Sequence, residues 1–258
     1  MSKKRINKVE FQSKQTAQKA YYTAQKVLPL VKQYFPTIKS VIDIGCGRGA
    51  WLAVAKQLGI NERIVGIDGY FEEENAWIEE KYIIRENFSA TTEHNYTYDI
   101  AICLEFAEHL TAEVGEKLIA YLCKSSSVIL FSASIPFEND NKNHLNEQWL
   151  SYWVEKFQRY HFAPLDIIRA QIWNDDEIPF WYKHGILVFV PEGEKNRDLI
   201  NTYRPLLLDI VHPEALQYKN NLLRTYKKIN NAPKSVKNAL MILLRAIKYK
   251  ITRLWRHK

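Results

Sequence analysis

The sequence predicts a doubly wound α/β domain, and two observations carry that expectation. Short apolar runs without clean polar alternation recur at residues 40–44, 63–67, 82–84, 99–104, 128–131 and 186–190. Such runs suit strands buried on both faces of a largely parallel sheet. Helical patterns at 50–58, 112–123 and 146–157 separate them, and a β-α-β-α alternation is how such sheets are built.

Taken in order, the first element is a helix over 14–28, where Ala17, Ala20, Tyr21, Ala24 and Leu28 recur at helical spacing. Pro29 is expected to end or kink it, and Pro36 to close the turn that follows. The strands and helices above come next, and Pro191-Glu-Gly gives an exit from the last strand. The remainder reads as helical. Three segments result: an N-terminal helical segment over 1–36, the α/β domain over 37–195, and a helical, basic extension over 196–258.

Charge is distributed unevenly along the 258 residues. Residues 1–214 hold 24 Lys and Arg against 29 Asp and Glu, a net −5, and the last 44 residues hold 12 Lys and Arg with no acid. The overall +7 therefore belongs to the tail, and nucleic acid is not expected as a partner of the main domain. In 233–258, Val236, Leu240, Leu243, Leu244, Ile247, Ile251 and Leu254 keep a 3–4 spacing, with Lys237, Arg245, Lys248 and Arg256 elsewhere on the wheel. A basic amphipathic helix reads as peripheral contact with anionic lipid, or as a helix packed on its own domain or a second subunit. The N-terminus lacks the apolar core of a signal peptide, and no run is long enough to span a bilayer. The odd cysteine count (Cys46, Cys103, Cys123) indicates free thiols. A cytoplasmic protein is expected, at most peripheral to the inner face of the membrane.

The strongest local motif is Val41-Ile-Asp-Ile-Gly-Cys-Gly-Arg-Gly-Ala50, strand first and helix after. Glycines at 45, 47 and 49 permit a tight turn and close approach of a ligand to the backbone. Gly45-x-Gly47-x-x-Ala50 also satisfies a dinucleotide fingerprint, with Asp68 ending the next strand as a ribose ligand. Asp43 discriminates, because a carboxylate two residues before the first glycine would repel a pyrophosphate and attract an ammonium or sulfonium. A nicotinamide-dependent oxidoreductase is thus the weaker alternative.

IDIGCGRG followed by VGID resembles motif I and the second-strand acid of the class I S-adenosylmethionine-dependent methyltransferases, over residues 38–190. The resemblance implies a Rossmann-like seven-stranded sheet with one antiparallel strand, which 186–190 can supply. It also implies a donor site. Asp43, Gly45, Cys46, Gly47 and Gly49 would stand at the methionine end, Asp68 on the ribose, and Asn87 and Phe88 near the adenine. Leu104 and Glu105 would lie beside the transferred methyl.

Leu104-Glu-Phe-Ala-Glu-His-Leu110 follows the fourth strand. In a helical turn Glu105, Glu108 and His109 would project to one side, at i, i+3 and i, i+4. Three readings stand open: a solvated first turn, a general base at His109, or a divalent metal (Mg²⁺, Mn²⁺ or Zn²⁺) held by Glu105, Glu108, His109 and His144. E-x-x-E-H is similar to ubiquinone-pathway O-methyltransferases and small-RNA 3′-end 2′-O-methyltransferases, in which a metal assists methylation of a hydroxyl. On that resemblance the catalytic candidates are His109, Glu108 and His144.

On the acceptor side, Trp149, Trp153 and Phe157 form a stripe at helical spacing that reads as core, while Trp181 and Tyr182 are expected at the pocket mouth. His144-x-Asn-Glu-Gln-Trp149 with Tyr152-Trp153 is similar to bacterial methyltransferases of surface-polysaccharide and specialised-metabolite pathways. The function expected is methyl transfer to a hydroxyl of a small-molecule or saccharide acceptor. An RNA 2′-hydroxyl ranks second, and a non-catalytic membrane-peripheral scaffold would leave 104–110 without a role.

Overall fold

The computed structural model describes residues 14–88, 97–136 and 143–230, and the amphipathic segment expected over 233–258 lies outside them. The chain divides into two units, Met1–Ala215 and Leu216–Lys258.

The first unit opens with α1 (Lys14–Tyr34), which runs through Pro29, so the proline expected to end or kink the helix does not end it. An internal proline costs about 3 kcal/mol in lost hydrogen bonding and crowding. Val27, Leu28 and Val31 are each 1 % exposed or less, and burying three such side chains, at about 1.5–3 kcal/mol each, outweighs that cost. The core overrides the local signal.

The sheet follows from β1 (Ser40–Ile44), β2 (Arg63–Ile67), β3 (Ile83–Ile84), β4 (Ile100–Leu104), β5 (Ile129–Ser132), β6 (Phe162–Leu165) and β7 (Leu187–Pro191). Their spatial order is β3-β2-β1-β4-β5-β7-β6. β1 pairs in parallel with β2 and β4, β2 with β3, and β4 with β5. β7 runs antiparallel to both β5 and β6, so the antiparallel strand is the one expected near 186–190. β6 was not foreseen. It carries Pro164, which argues against a central strand, but β6 lies at the edge, where a missing N–H can face away from the ladder.

Helices cover both faces. α2 (Ala50–Gln57) joins α1 on one side, while α3 (Ala112–Ser125) and α4 (Leu150–Gln158) lie on the other. Successive residues of β1 feed opposite cores: Val41 belongs to the core that holds Val27, Leu52 and Ile102, and Ile42 to the one that holds Ala101, Leu118, Phe131 and Trp153. That two-sided burial is why the strands read as continuous apolar runs. α4 starts at Leu150, not near 146 as the periodicity suggested. The amides of Leu145 and Asn146 both donate to the Glu108 carbonyl, at 2.8 and 3.0 Å, which holds the preceding segment out of the helix.

α5 (Arg169–Ile172), α6 (Phe180–Gly185) and α7 (Arg197–Tyr203) complete the described elements up to α8 (Pro213–Asn230). Cys46, Cys103 and Cys123 are free thiols. Among the described residues no helix is long and apolar enough to cross a membrane. The strand order reverses between β1 and β4, and at such a switch point the carboxyl ends of the strands open a crevice for ligands.

Candidate active site

The glycine loop occupies one wall of that crevice. Gly45, Gly47 and Gly49 have φ of 76°, 53° and 75°, a region that favours glycine. At position 45 a Cβ would also stand 2.3 Å from the Phe106 ring, so glycine is required there twice over. At Gly47 a Cβ would meet nothing within 4 Å, so the loop presents bare backbone to open space. The Gly47 amide donates to Asp68 Oδ2 at 2.9 Å, and the Tyr70 amide donates to Asp68 Oδ1 at 2.7 Å. Asp68 thus ties the loop to the end of β2. Burial raises the Asp68 pKa, and those two amides oppose the rise.

Asp43 is 3 % exposed, and its Oδ2 atom has no hydrogen-bond partner. Burial, and then the charge of Asp68, push its carboxyl well above the usual range. A cation entering the crevice would relieve that penalty directly. Cys46 is buried beside it, with its thiol pushed up by the same burial and by Asp43. Asn87 packs its backbone against Gly69, immediately after Asp68, within 3.3 Å of where a Cβ would stand. Phe88 is buried, edge-on to Phe106 and Tyr121 at 6.4 and 5.5 Å between centroids.

The opposite wall starts where β4 ends at buried Leu104. Glu105 has φ of 52°, a left-handed conformation that is uncommon for a side chain of its size and concentrates at functional sites. The kink turns its carboxylate to the Ser132 hydroxyl, which donates at 2.7 Å, while the Glu105 amide donates to the Ser132 carbonyl at 3.2 Å. The helical turn that follows is a short 3₁₀ turn, Ala107–His109. Glu105 lies outside it, so the expected four-residue ligand set loses this member.

The other three residues converge. Each of Glu108, His109 and His144 offers a ligand atom within 4.8 Å of the others, with His109 Nε2 4.0 Å from Glu108 Oε1. The His109 and His144 rings meet edge to face at 4.7 Å. His109 Nδ1 lies 3.2 Å from the Asn143 carbonyl, and His144 Nδ1 lies 2.8 Å from Glu147 Oε1. Both partners are acceptors, so each Nδ1 carries a proton, and in the neutral imidazole Nε2 then carries the lone pair. Burial lowers the His109 pKa to about 4, with His144 adding to the fall and the Asn143 carbonyl opposing it. Glu147, Ser132 and Phe106 were not singled out from sequence. Only Glu147, three residues after His144, had a pattern that could have indicated it.

The aromatic expectations divide. Trp153 and Phe157 are fully buried core, as their stripe predicted, but Trp149 precedes α4 and is 37 % exposed, close in sequence to Leu145 at 64 %. Tyr182 is not at a mouth. It is 6 % exposed, edge-on to Trp51 at 5.9 Å, because α6 folds it down toward α2. Burial raises its phenol, with the charges of Glu105 and Asp43 contributing.

The family model for a methyltransferase domain matches residues 16–174, and the chain belongs to that family, whose members use S-adenosylmethionine on the class I fold. The methyltransferase domain of bacterial CtHen1 is similar at 17 % identity and a TM-score of 0.47, covering 67 % of this chain and all of that one. The plantazolicin methyltransferase BpumL, in complex with a triazolic desmethylPZN analog and S-adenosylhomocysteine, is similar at 18 % and 0.48, over 68 % of this chain and 85 % of that one. Magnesium protoporphyrin IX methyltransferase from Synechocystis PCC 6803, with bound S-adenosylmethionine, is similar at 15 % and 0.46, over 69 % and 80 %. No curated protein matches the chain.

Proposed function

We propose that the protein moves the methyl group of S-adenosylmethionine to a hydroxyl of a neutral small-molecule or saccharide acceptor, with Glu108, His109 and His144 holding a divalent ion. The observation that carries the ion is the pair of fixed tautomers. Carbonyl and carboxylate acceptors at the two Nδ1 atoms make Nε2 the ligand atom of each neutral ring, and the two rings cluster with a buried carboxylate, a mixed donor set that suits Mg²⁺, Mn²⁺ or Zn²⁺. When bound, such an ion lowers the pKa of a nearby hydroxyl.

The donor reading rests on charge. Asp43 at the floor and Asp68 at the loop favour a ligand with an ammonium, a sulfonium and ribose hydroxyls over a pyrophosphate. Gly45, Cys46, Gly47 and Gly49 give the donor backbone access, Leu104 closes the floor beside it, and Asn87 and Phe88 are assigned to the adenine end. The acceptor oxygen attacks the methyl in line with the breaking C–S bond, S-adenosylhomocysteine leaves, and the hydroxyl proton passes to solvent water. The chain's contribution is alignment of the two partners.

Five carboxylates, Asp43, Asp68, Glu105, Glu108 and Glu147, surround the crevice in a main domain of net −5, and they disfavour a phosphodiester acceptor such as an RNA end. A saccharide from a surface-polysaccharide or specialised-metabolite pathway fits best, and the three free thiols suit a reducing cytoplasm. An acceptor screen with labelled methyl donor, run with and without EDTA, tests both halves. Transfer to saccharides that EDTA abolishes and Mn²⁺ restores is the expected result. Full transfer in EDTA removes the ion and leaves His109 Nε2 as a plain base, and transfer only to RNA overturns the acceptor.

A further inference from the structure

We propose that α8 is an in-plane anchor that rests on an anionic lipid surface. Leu216, Leu223 and Tyr226 are 61 %, 57 % and 63 % exposed. At about 100° per residue these three fall within an arc of about 80° on the helix. Lys219 stands inside that arc, Lys227 borders it, and Arg224 follows one step further round. Large aliphatic and aromatic side chains grouped on an exposed helix face mark an interaction surface.

Charge selects the occupant. From Ala215 to Lys258 the chain carries 12 Lys and Arg and no acid, so a second copy of this helix would bring repulsion to the interface. RNA would match the charge but offers no apolar phase for Leu216 and Leu223. An anionic bilayer supplies both requirements: an acyl–headgroup boundary for the Leu and Tyr side chains, and phosphates for the Lys and Arg beside them. With no spanning helix among the described residues, the contact would be peripheral.

The test is vesicle flotation of the full-length chain, using phosphatidylcholine alone and phosphatidylcholine with phosphatidylglycerol. Flotation is expected only with the anionic vesicles and is expected to weaken at high salt. It should fall at least about tenfold in Leu216→Ser/Leu223→Ser and in Arg224→Gln/Lys227→Gln. Donor-product binding and circular dichroism report that both variants stay folded. Absence of flotation overturns the proposal, as does flotation undiminished in both variants, which would assign lipid binding to residues beyond α8. A sedimenting dimer that Leu216→Ser/Leu223→Ser splits would give the strip to a second copy, and RNA binding without flotation would give it to a nucleic acid.

Discussion

Glu147 Oε1 accepts from His144 Nδ1 at 2.8 Å, and this contact fixes a proton on that nitrogen and the orientation of the ring. A carboxylate behind a ligating imidazole raises its basicity and locks its orientation, and losing one typically weakens metal affinity about 10–100-fold. Glu147→Gln is therefore expected to raise the Mn²⁺ dissociation constant by that factor in calorimetry, and excess Mn²⁺ should restore turnover. His109→Ala and His144→Ala should lose measurable ion binding and nearly all turnover. Unchanged Mn²⁺ affinity in Glu147→Gln would leave the contact a structural one.

On the proposed donor site, Asp43 trades stability for donor binding. Its folded pKa lies above the unfolded value, so the folded state holds the proton more tightly. That advantage is complete below the unfolded pKa and is lost as pH rises through the folded one. At neutral pH the buried carboxylate is a net cost to the protein without donor. Asp43→Asn is expected to stabilise the donor-free protein by about 1–3 kcal/mol at pH 7, with the gain vanishing below about pH 4. Its affinity for S-adenosylmethionine should fall about tenfold or more. Thermal melts across pH with donor titrations check both signs, and a destabilised Asp43→Asn would mean the carboxylate is satisfied in the crevice.

How far the sequence carried the reading depends on whether a feature is local. The glycine loop, Asp43 and Asp68 lie on consecutive strand ends, so spacing alone brought them together, and the structure joins Asp68 to Gly47 directly. β6 was hidden because Pro164 obeys an edge rule that depends on its neighbours in space. The helix continues past Pro29 for the same reason, since packing against α2 is invisible in a one-dimensional pattern. Glu105 was assigned by helical geometry to a turn that begins two residues later. Its partner Ser132 lies on another strand, and no periodicity connects them.

The Gly45–Phe106 contact predicts a coupled pair. A Cβ at 45 would stand 2.3 Å from the ring and would also force a left-handed φ on an L-residue. Gly45→Ala should destabilise by about 2–4 kcal/mol, combining strain and overlap. Phe106→Ala removes the ring overlap and leaves the strain, together with a 2.8 Å approach to its own Cβ. In the double mutant Gly45→Ala should cost about 1–2 kcal/mol, a non-additivity that urea unfolding can resolve. Strict additivity would show that the ring moves aside.

Lys183 gives the last test. Its side chain is fully buried, and Nζ donates to Glu214 Oε1 at 2.8 Å, while Glu214 is 37 % exposed. Removing the carboxylate strands an ammonium in the core. Removing the ammonium leaves only an acid that water can reach. Glu214→Ala should therefore cost about 3 kcal/mol, and Lys183→Met, which keeps the length and the apolar stem, should stay within about 1 kcal/mol of the parent. Urea midpoints at constant m-value measure both. If the two substitutions cost the same, the pair holds the fold through its mutual attraction, and desolvation of the ammonium is not the governing term.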